Sequence, residues 1–450
     1  TEYTDRVRRL AQRNDRVGLA IASAAIPNAG TNNTLRDEVF TYDGRTTAPV
    51  IASMTSSAVT GPFESAIFTR DRWLDVQNHD AYLDLPGDSL SITFTRDLAG
   101  RPLTQSWTYG RGTSPSSTYT YRPDGRLARL VNPDGVHDFS YNSRGLMETQ
   151  AVGGEGTYTF GYDVMGRNDF LEYPDGHVRR QRFDELGRLT SRCYEYPPTA
   201  PRCYTASYDA AGNPVRMTDP DGVDVIAYDE LDRLTRVTRQ TVDGVTLSVE
   251  DYAYNALGAL RLNAGAVLDH QRPRLDGAGL ADAAVPATLG GQPVVLDRGG
   301  SVTSLKGTAF KWSKKGFLES IQEPAPAAPI VFGVDAELRR TAQKQGTAFD
   351  EVNYYEGLDR VAILHAPTGA VKESYLFDGI DHPLRIKRGA TTAYYELDLA
   401  SNVRALYASG GSPLGGYRYT AFGKTAEDTT TFAQPLRWKA RWHSVVGGTE

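Results

Sequence analysis

Only 2 of the 450 residues are cysteine, which excludes a disulfide-stapled mini-fold and a four-cysteine zinc site. Long hydrophobic runs are missing too. The best, Val17 to Pro27, is about half of the roughly 20 residues that a helical membrane span needs. Basic charge is in deficit, with 49 Lys and Arg against 55 Asp and Glu and a net charge of −6. A nucleic-acid coat needs a basic face, so nucleic acid is not an expected partner. Lysine is scarce, 9 residues against 40 Arg with the first at Lys306, and this reads as the codon bias of a GC-rich genome rather than Arg-specific anion binding. No long amphipathic helix is legible; a short one within residues 1–30 is the only candidate. No HExxH, P-loop, dinucleotide fingerprint or Gly-x-Ser-x-Gly elbow occurs, so no catalytic residue, cofactor or metal is expected. A Ser–His–Asp triad cannot be judged from one sequence.

What is present is a globular composition, 40% hydrophobic and 10% aromatic, with 25 Tyr against 15 Phe. The surplus of Tyr has its source in an internal repeat, the signal to seek first in a chain of this length. YRPDGRL starts at Tyr121, YNSRGLM at Tyr141, YDVMGRN at Tyr162 and FDELGRL at Phe183. YDAAGNP at Tyr208, YDELDRL at Tyr228 and YNALGAL at Tyr254 continue it. The steps between the starting aromatics are 20, 21, 21, 25, 20 and 26 residues.

Each repeat has the logic of a β-hairpin. Aromatic pairs at i, i+2, such as Phe160 and Tyr162 or Tyr252 and Tyr254, fall on one face of a strand. Asp163, Asp184, Asp209 and Asp229 then enter the turn, where a short carboxylate bonds the backbone ahead of it. Gly125, Gly145, Gly166, Gly187, Gly212 and Gly258 supply the left-handed residue that closes the hairpin, and Asp232 stands in for Gly once. A second turn, Asn132-Pro133-Asp134-Gly135, Tyr173-Pro174-Asp175-Gly176 or Asp219-Pro220-Asp221-Gly222, joins one hairpin to the next. Stacked hairpins then form one antiparallel sheet in which Tyr has high β propensity and a polar tip for a wet face. Leu234 and Val237 are three apart, so either both faces carry apolar residues or a bulge intervenes.

Cys193 and Cys203 close the Pro-rich insert CYEYPPTAPRC that causes the 25-residue step. Their spacing is not Cys-x-x-Cys and no His lies between them, so a disulfide is the expectation, ahead of a redox pair or half a metal site. His137 and His177 each follow a Pro-Asp-Gly turn and are expected to be exposed residues at strand starts. The repeat Asp residues form a candidate cation ladder, but their turn role already explains them. Trp73, Trp107, Trp312, Trp438 and Trp442 are expected to fill an inner face rather than stack on sugars. Asn32-Asn33-Thr34 fits a glycosylation sequon, a tripeptide common by chance.

These motifs resemble the YD-repeat, or Rhs-repeat, family. The C-terminal part strengthens the likeness. DLASNVRAL, with Asp398, Val403 and Arg404, is similar to the family's core wording DxLGSVRxL, departing at Leu399, Ala400, Ser401 and Asn402. YRYTAFGK matches YxYdpFGr at Tyr417, Tyr419, Phe422 and Gly423. LRWKARWHSVVGG looks like the start of RFtGRxyDxxtGL, with Ala440 in place of Gly. The resemblance implies an all-β fold of stacked antiparallel hairpins, a large spiralling sheet that closes into a hollow shell. It divides the chain into a weak-register segment at 1–34, a hairpin array at 35–263, degenerate repeats with inserted loops at 264–390, and the start of a core-like segment at 391–450. The chain begins at Thr1 and stops soon after this block, and is read as a piece of a longer bacterial protein, secreted or at the cell surface. Expected partners are the rest of that polypeptide, its C-terminal cargo included, with a surface receptor or glycan as a further partner class. The resemblance implies a non-catalytic shell. A teneurin-like adhesion or carbohydrate-binding module is the alternative, and a fragment of a self-cleaving protein, with its protease residues beyond Glu450, is the second alternative.

Overall fold

The structure, a computed structural model, describes residues 90–442 except 110–113, 257, 264–265, 269–270, 274–279, 283–284, 290, 298–299, 314–316, 335–338 and 346–347. In the strands at 26–27, 35–42, 51–58, 64–70, 76–82, 89, 266–267, 271–273, 280–282, 334 and 348–350 it describes backbone alone. The helix considered for residues 1–30, the sequon at Asn32, the side chains of Trp73, His79, His270 and His443, and the block after Trp442 lie outside the described residues.

Among the described residues everything regular is antiparallel β apart from one 3₁₀ turn, Trp438–Ala440. The described strands fall into four sheets, and within a sheet each strand pairs with the next in sequence. Gly156–Tyr162 pairs with Asn168–Glu172, which pairs with Val178–Phe183, and the order continues through Leu189–Glu195, Arg202–Tyr208 and Pro214–Asp219. Gly222–Tyr228, Leu234–Gln240 and Thr246–Asp251 follow in the same way. The repeat motif explains each connection. The N–H of Gly166 donates to the Asp163 carbonyl at 3.0 Å, and the N–H of Asp163 to the Arg167 carbonyl at 3.0 Å. Gly166 sits at φ +84°, left-handed backbone that a Cβ disfavours. Asp232 holds the same position at φ 57°, as expected of its stand-in role.

The return of each hairpin carries a bulge. The register slips between Gly161 and Tyr162, between Ser207 and Tyr208, and between Ala227 and Tyr228. In the last case Ala227 faces Arg236 and Tyr228 faces Leu234, which leaves Thr235 unopposed. The bulge settles the spacing of Leu234 and Val237: both reach the same pocket.

The chain divides into two compact units. The first comprises residues 1–135, 296–303 and 307–372. In it Leu90, Ile92, Trp107 and Tyr109, on Ser89–Arg96 and Pro102–Tyr109, pack with Val352, Tyr354, Val361, Ala362 and Leu364. Trp107 is fully buried, as expected of an inner-face residue, with its ring 5.3 Å from Tyr354. Burying one large apolar side chain contributes about 1.5–3 kcal/mol. The second unit comprises residues 136–295, 304–306 and 373–450. There Val152, Tyr158, Phe160, Leu171 and Tyr173 meet Leu376, Leu384 and Tyr394, while Tyr194, Tyr196 and Tyr204 meet Ala405 and Tyr407. Within each unit, then, an early run of hairpins lays its inward face on a late run, side chain against side chain. Among the described residues, strand pairing within a unit does not close into a ring.

Candidate functional site

The motif residues build a clasp from one hairpin to the next. In the repeat at Asp184, the carboxylate Oδ1 accepts from the N–H groups of Leu186 and Arg188, and Oδ2 accepts from Arg188 Nε at 2.7 Å. That guanidinium then lies 4.6 Å above the ring of Tyr208, the first residue of the following repeat. Tyr208 in turn donates its hydroxyl to the Leu189 carbonyl at 2.7 Å. The same relation recurs. Arg101 covers Tyr121, Arg167 covers Phe183 and Arg233 covers Tyr254, at 4.5, 4.5 and 4.7 Å. Tyr121, Tyr162 and Tyr228 donate to the carbonyls of Pro102, Met147 and Pro214. A hydrogen bond from Arg101 to Asp97, and one from Arg233 to Asp229, hold those carboxyls below the usual range. The Asp residues are thus spent on their own turns. Among the described residues no group of three or more His, Cys, Asp or Glu is placed to hold a metal ion.

Inside the second unit the facing surfaces carry charge among the rings. Arg404 bonds Asp219 at 2.6 Å, Arg239 bonds the other oxygen of Asp219 at 2.7 Å, and Arg179 bonds Asp378 at 2.6 Å. Burial works against the ionised Asp219, but Arg239 and Arg404 outweigh it and its carboxyl is held low. Glu396 is fully buried and accepts at one oxygen from Arg202 at 3.1 Å and Tyr204 at 3.0 Å. Its other oxygen has no hydrogen-bond partner. Burial pushes its carboxyl up to about 7, ahead of the opposing pull of Arg202.

The core-like motif gathers here. Asp398 caps its own turn by accepting from the N–H groups of Ala400 and Asn402, and Arg404 comes within 3.5 Å of its carboxylate. Arg404 Nε donates to the Tyr417 carbonyl, and Tyr417 lies 6.0 Å from Tyr419. Val403 is fully buried, and Tyr419 donates to its carbonyl at 2.9 Å. Gly423 lies against the Trp438 ring, while Phe422 stays 45% exposed with its edge on Tyr252. These elements surround a pocket of about 240 Å³ whose lining includes Met217, Ile226, Val237, Arg239, Tyr419 and Trp438.

Two residues depart from the sequence reading. His137 and His177 are buried, 2% and 3% exposed, rather than exposed. The inward face falls on the first residue after the turn at His177 and on the second at His137, where Val136 points out. There His177 stacks between Tyr173 and Tyr196 with centroids 3.8 and 4.7 Å away, and Tyr196 stacks on Tyr407 at 4.4 Å. Its Nδ1 lies 2.5 Å from Asp175 Oδ1. Burial lowers its pKa despite Asp175. Cys193 and Cys203 face each other across adjacent strands and are joined as a disulfide. Closing so short a loop contributes about 2–3 kcal/mol.

Sequence reasoning missed one arrangement. His382 Nε2 lies 2.7 Å from Ser401 Oγ, and His382 Nδ1 lies 3.6 Å from Asp378 Oδ1. A signal for it existed. His382 stands four residues after Asp378, the place of the clasp Arg, and Ser401 stands three after Asp398, the place of the turn Gly.

Comparison with known proteins agrees with the repeat. The family model described as RHS Repeat matches residues 208–246. Curated protein sequences give no match. Among solved structures, the Photorhabdus luminescens Tc holotoxin pore, in a TccC3 variant, matches with a TM-score of 0.70 at 13% identity over 92% of this chain and 24% of that one. The crystal structure of TcdB2-TccC3 without its hypervariable C-terminal region matches with a TM-score of 0.68 at 12% identity, over 91% and 24%. TcdB2-TccC3-Cdc42 gives 0.68 at 13%, over 92% and 24%. The chain therefore spans about a quarter of the length of the solved chains it matches. It carries an Rhs repeat and, over most of its length, has the fold of these Tc toxin structures.

Proposed function

We propose that the chain is a non-catalytic wall segment of a larger Rhs-repeat protein, secreted or at a bacterial cell surface, and that the wall encloses or displays a C-terminal domain continuous with it. The observation that carries this reading is the clasp: Arg101 and Arg188 each cover the Tyr of the following repeat, whose hydroxyl bonds back to a carbonyl, and one of the two contacts recurs at Tyr162, Phe183, Tyr228 and Tyr254. Isolated hairpins are marginal in water, and fastening them in series yields a surface that resists local opening. A wall of this kind needs no catalytic group. It needs length and a constant register, which the repeats supply.

Limited proteolysis of the full-length parent protein tests the reading. Its C-terminal domain is expected to resist protease until the array is loosened, for example by replacing several clasp arginines together. Cleavage of that domain in the intact protein as fast as in isolation overturns enclosure. A second reading, a display surface for a receptor or glycan, is favoured by the exposed turn tips. Val164, Met165, Leu186 and Leu231 are 91%, 76%, 77% and 70% exposed in the turns that start at Asp163, Asp184 and Asp229. Binding that is lost when these four become Ser would select it.

A further inference from the structure

We propose that Ser401 is an activated nucleophile, set up by His382 and Asp378, that captures acyl or phosphonyl groups from small activated electrophiles. The site arises from the clasp itself. In an ordinary repeat the Arg four residues after the turn Asp reaches the turn Gly of the next repeat. A Cβ on Gly187, for instance, would lie 3.5 Å from Arg167 Nη1. At the turn starting with Asp378 the Arg is His382, and at the next turn the Gly is Ser401. The same fixed relation that brings guanidinium to glycine therefore brings imidazole to hydroxyl, at 2.7 Å. Asp378 keeps its turn position with Oδ2 held by Arg179, and its Oδ1 stands 3.6 Å from His382 Nδ1, an ion-pair distance rather than a hydrogen bond. The negative charge at that distance favours an imidazole that takes up a proton, and the Nε2–Oγ contact at 2.7 Å places the serine hydroxyl to give it one.

Two further features point to a reactive hydroxyl. Ser401 is a non-glycine residue at φ 62°, left-handed backbone that costs about 1–2 kcal/mol. The His382 side chain is 34% exposed, so reagents reach the pair. The limits of the chemistry also follow. The Ser401 N–H donates to the Asp398 carbonyl and the Asn402 N–H to Asp398 Oδ1. These turn donors are committed and give no oxyanion site, a lack that costs about 10²–10³ in rate. The expected result is single capture rather than turnover.

With 4-nitrophenyl acetate, Ser401 Oγ attacks the carbonyl carbon while its proton passes to His382 Nε2. The bond to 4-nitrophenolate breaks, the phenolate leaves, His382 gives its proton to water, and an acetyl ester remains on Ser401.

The test treats the 450-residue chain with 4-nitrophenyl acetate, and in parallel with a fluorophosphonate probe, and maps the adducts by peptide mass spectrometry. One adduct on the Ser401 peptide is expected. Ser401→Gly restores the usual turn residue and so keeps the fold; it is expected to lose the adduct. His382→Arg restores the clasp and is expected to slow acylation by about 10²-fold, the lower range of general-base catalysis. Acylation confined to Tyr, Lys or the amino terminus, or equal rates in the wild type and His382→Arg, overturns the proposal. Neither outcome bears on enclosure, which the proteolysis experiment reads separately.

Discussion

Arg188 lies over the ring of Tyr208 at 4.6 Å while its Nε holds Asp184 at 2.7 Å, so one side chain closes its own turn and covers the next. Lysine keeps the charge but has no planar fork to do both. Arg188→Lys is therefore expected to destabilise the chain by about 1 kcal/mol, the scale of a partly exposed cation–π contact. A double-mutant cycle with Tyr208→Leu, followed by urea unfolding, is expected to return a coupling of about 0.5–1 kcal/mol. Additivity of the two single changes would show that the clasp does not join the repeats.

Much of this was legible because it is local. Asp184, Gly187 and Tyr208 declare turn and strand by type and spacing, and the disulfide pair faces across neighbouring strands. The Arg was visible in the motif, but its reach to the next repeat was not, since a linear pattern gives no height above the sheet. The inner face was harder still. Arg179, Arg192 and Tyr194 are buried, yet by type they read as residues of a wet surface. Tyr204 meets Glu396 across 192 residues of sequence, a pairing no period reveals. His177 was misread for the same reason: polarity suggested solvent where the neighbours are rings.

Asp219 is shared by two arginines, Arg239 at 2.7 Å and Arg404 at 2.6 Å, and is 8% exposed. Asp219→Asn removes the charge and leaves both guanidinium groups facing a neutral amide. Breaking a buried pair from one side costs about 3–5 kcal/mol. Arg404 belongs to the core-like motif, so loss is expected first in the second unit. Hydrogen exchange should show faster opening of Val403–Ala408 and Pro214–Asp219 in the variant. Uniform, unchanged protection of those strands would contradict a structural role for the triad.

Glu396 gives the chain a pH dependence of definite sign. Its carboxyl titrates at 4.5 when free and at about 7 when buried. Between those values the folded chain binds more protons than the unfolded chain, so stability falls as pH rises through the window. The whole effect is on the order of 3 kcal/mol. Glu396→Gln keeps the shape and the acceptor for Tyr204 but cannot ionise. Its unfolding midpoint is expected to be flatter than that of the wild type from pH 5 to 8, with the two curves diverging most at the alkaline end. Parallel curves would mean that Glu396 does not titrate in this range.

Gly423 and Gly176 have nearly the same backbone, φ +90° and +85°, in different surroundings. A Cβ on Gly176 meets nothing within 4 Å, whereas one on Gly423 would stand 2.5 Å from Trp438 Cδ2. Gly176→Ala therefore carries only the left-handed strain, about 1–2 kcal/mol. Gly423→Ala carries that strain plus an overpacked ring, a further 1–3 kcal/mol, roughly. The excess must be relieved by moving Trp438, because the other wall is the turn itself. Trp438 also lines the 240 Å³ pocket, so its displacement is expected to raise solvent access there. Comparing the two variants by urea unfolding and by acrylamide quenching separates strain from clash. Equal losses in both would mean that the Trp438 turn yields freely, and that the block from Leu436 onward is not fastened to the Tyr417–Gly423 hairpin in solution.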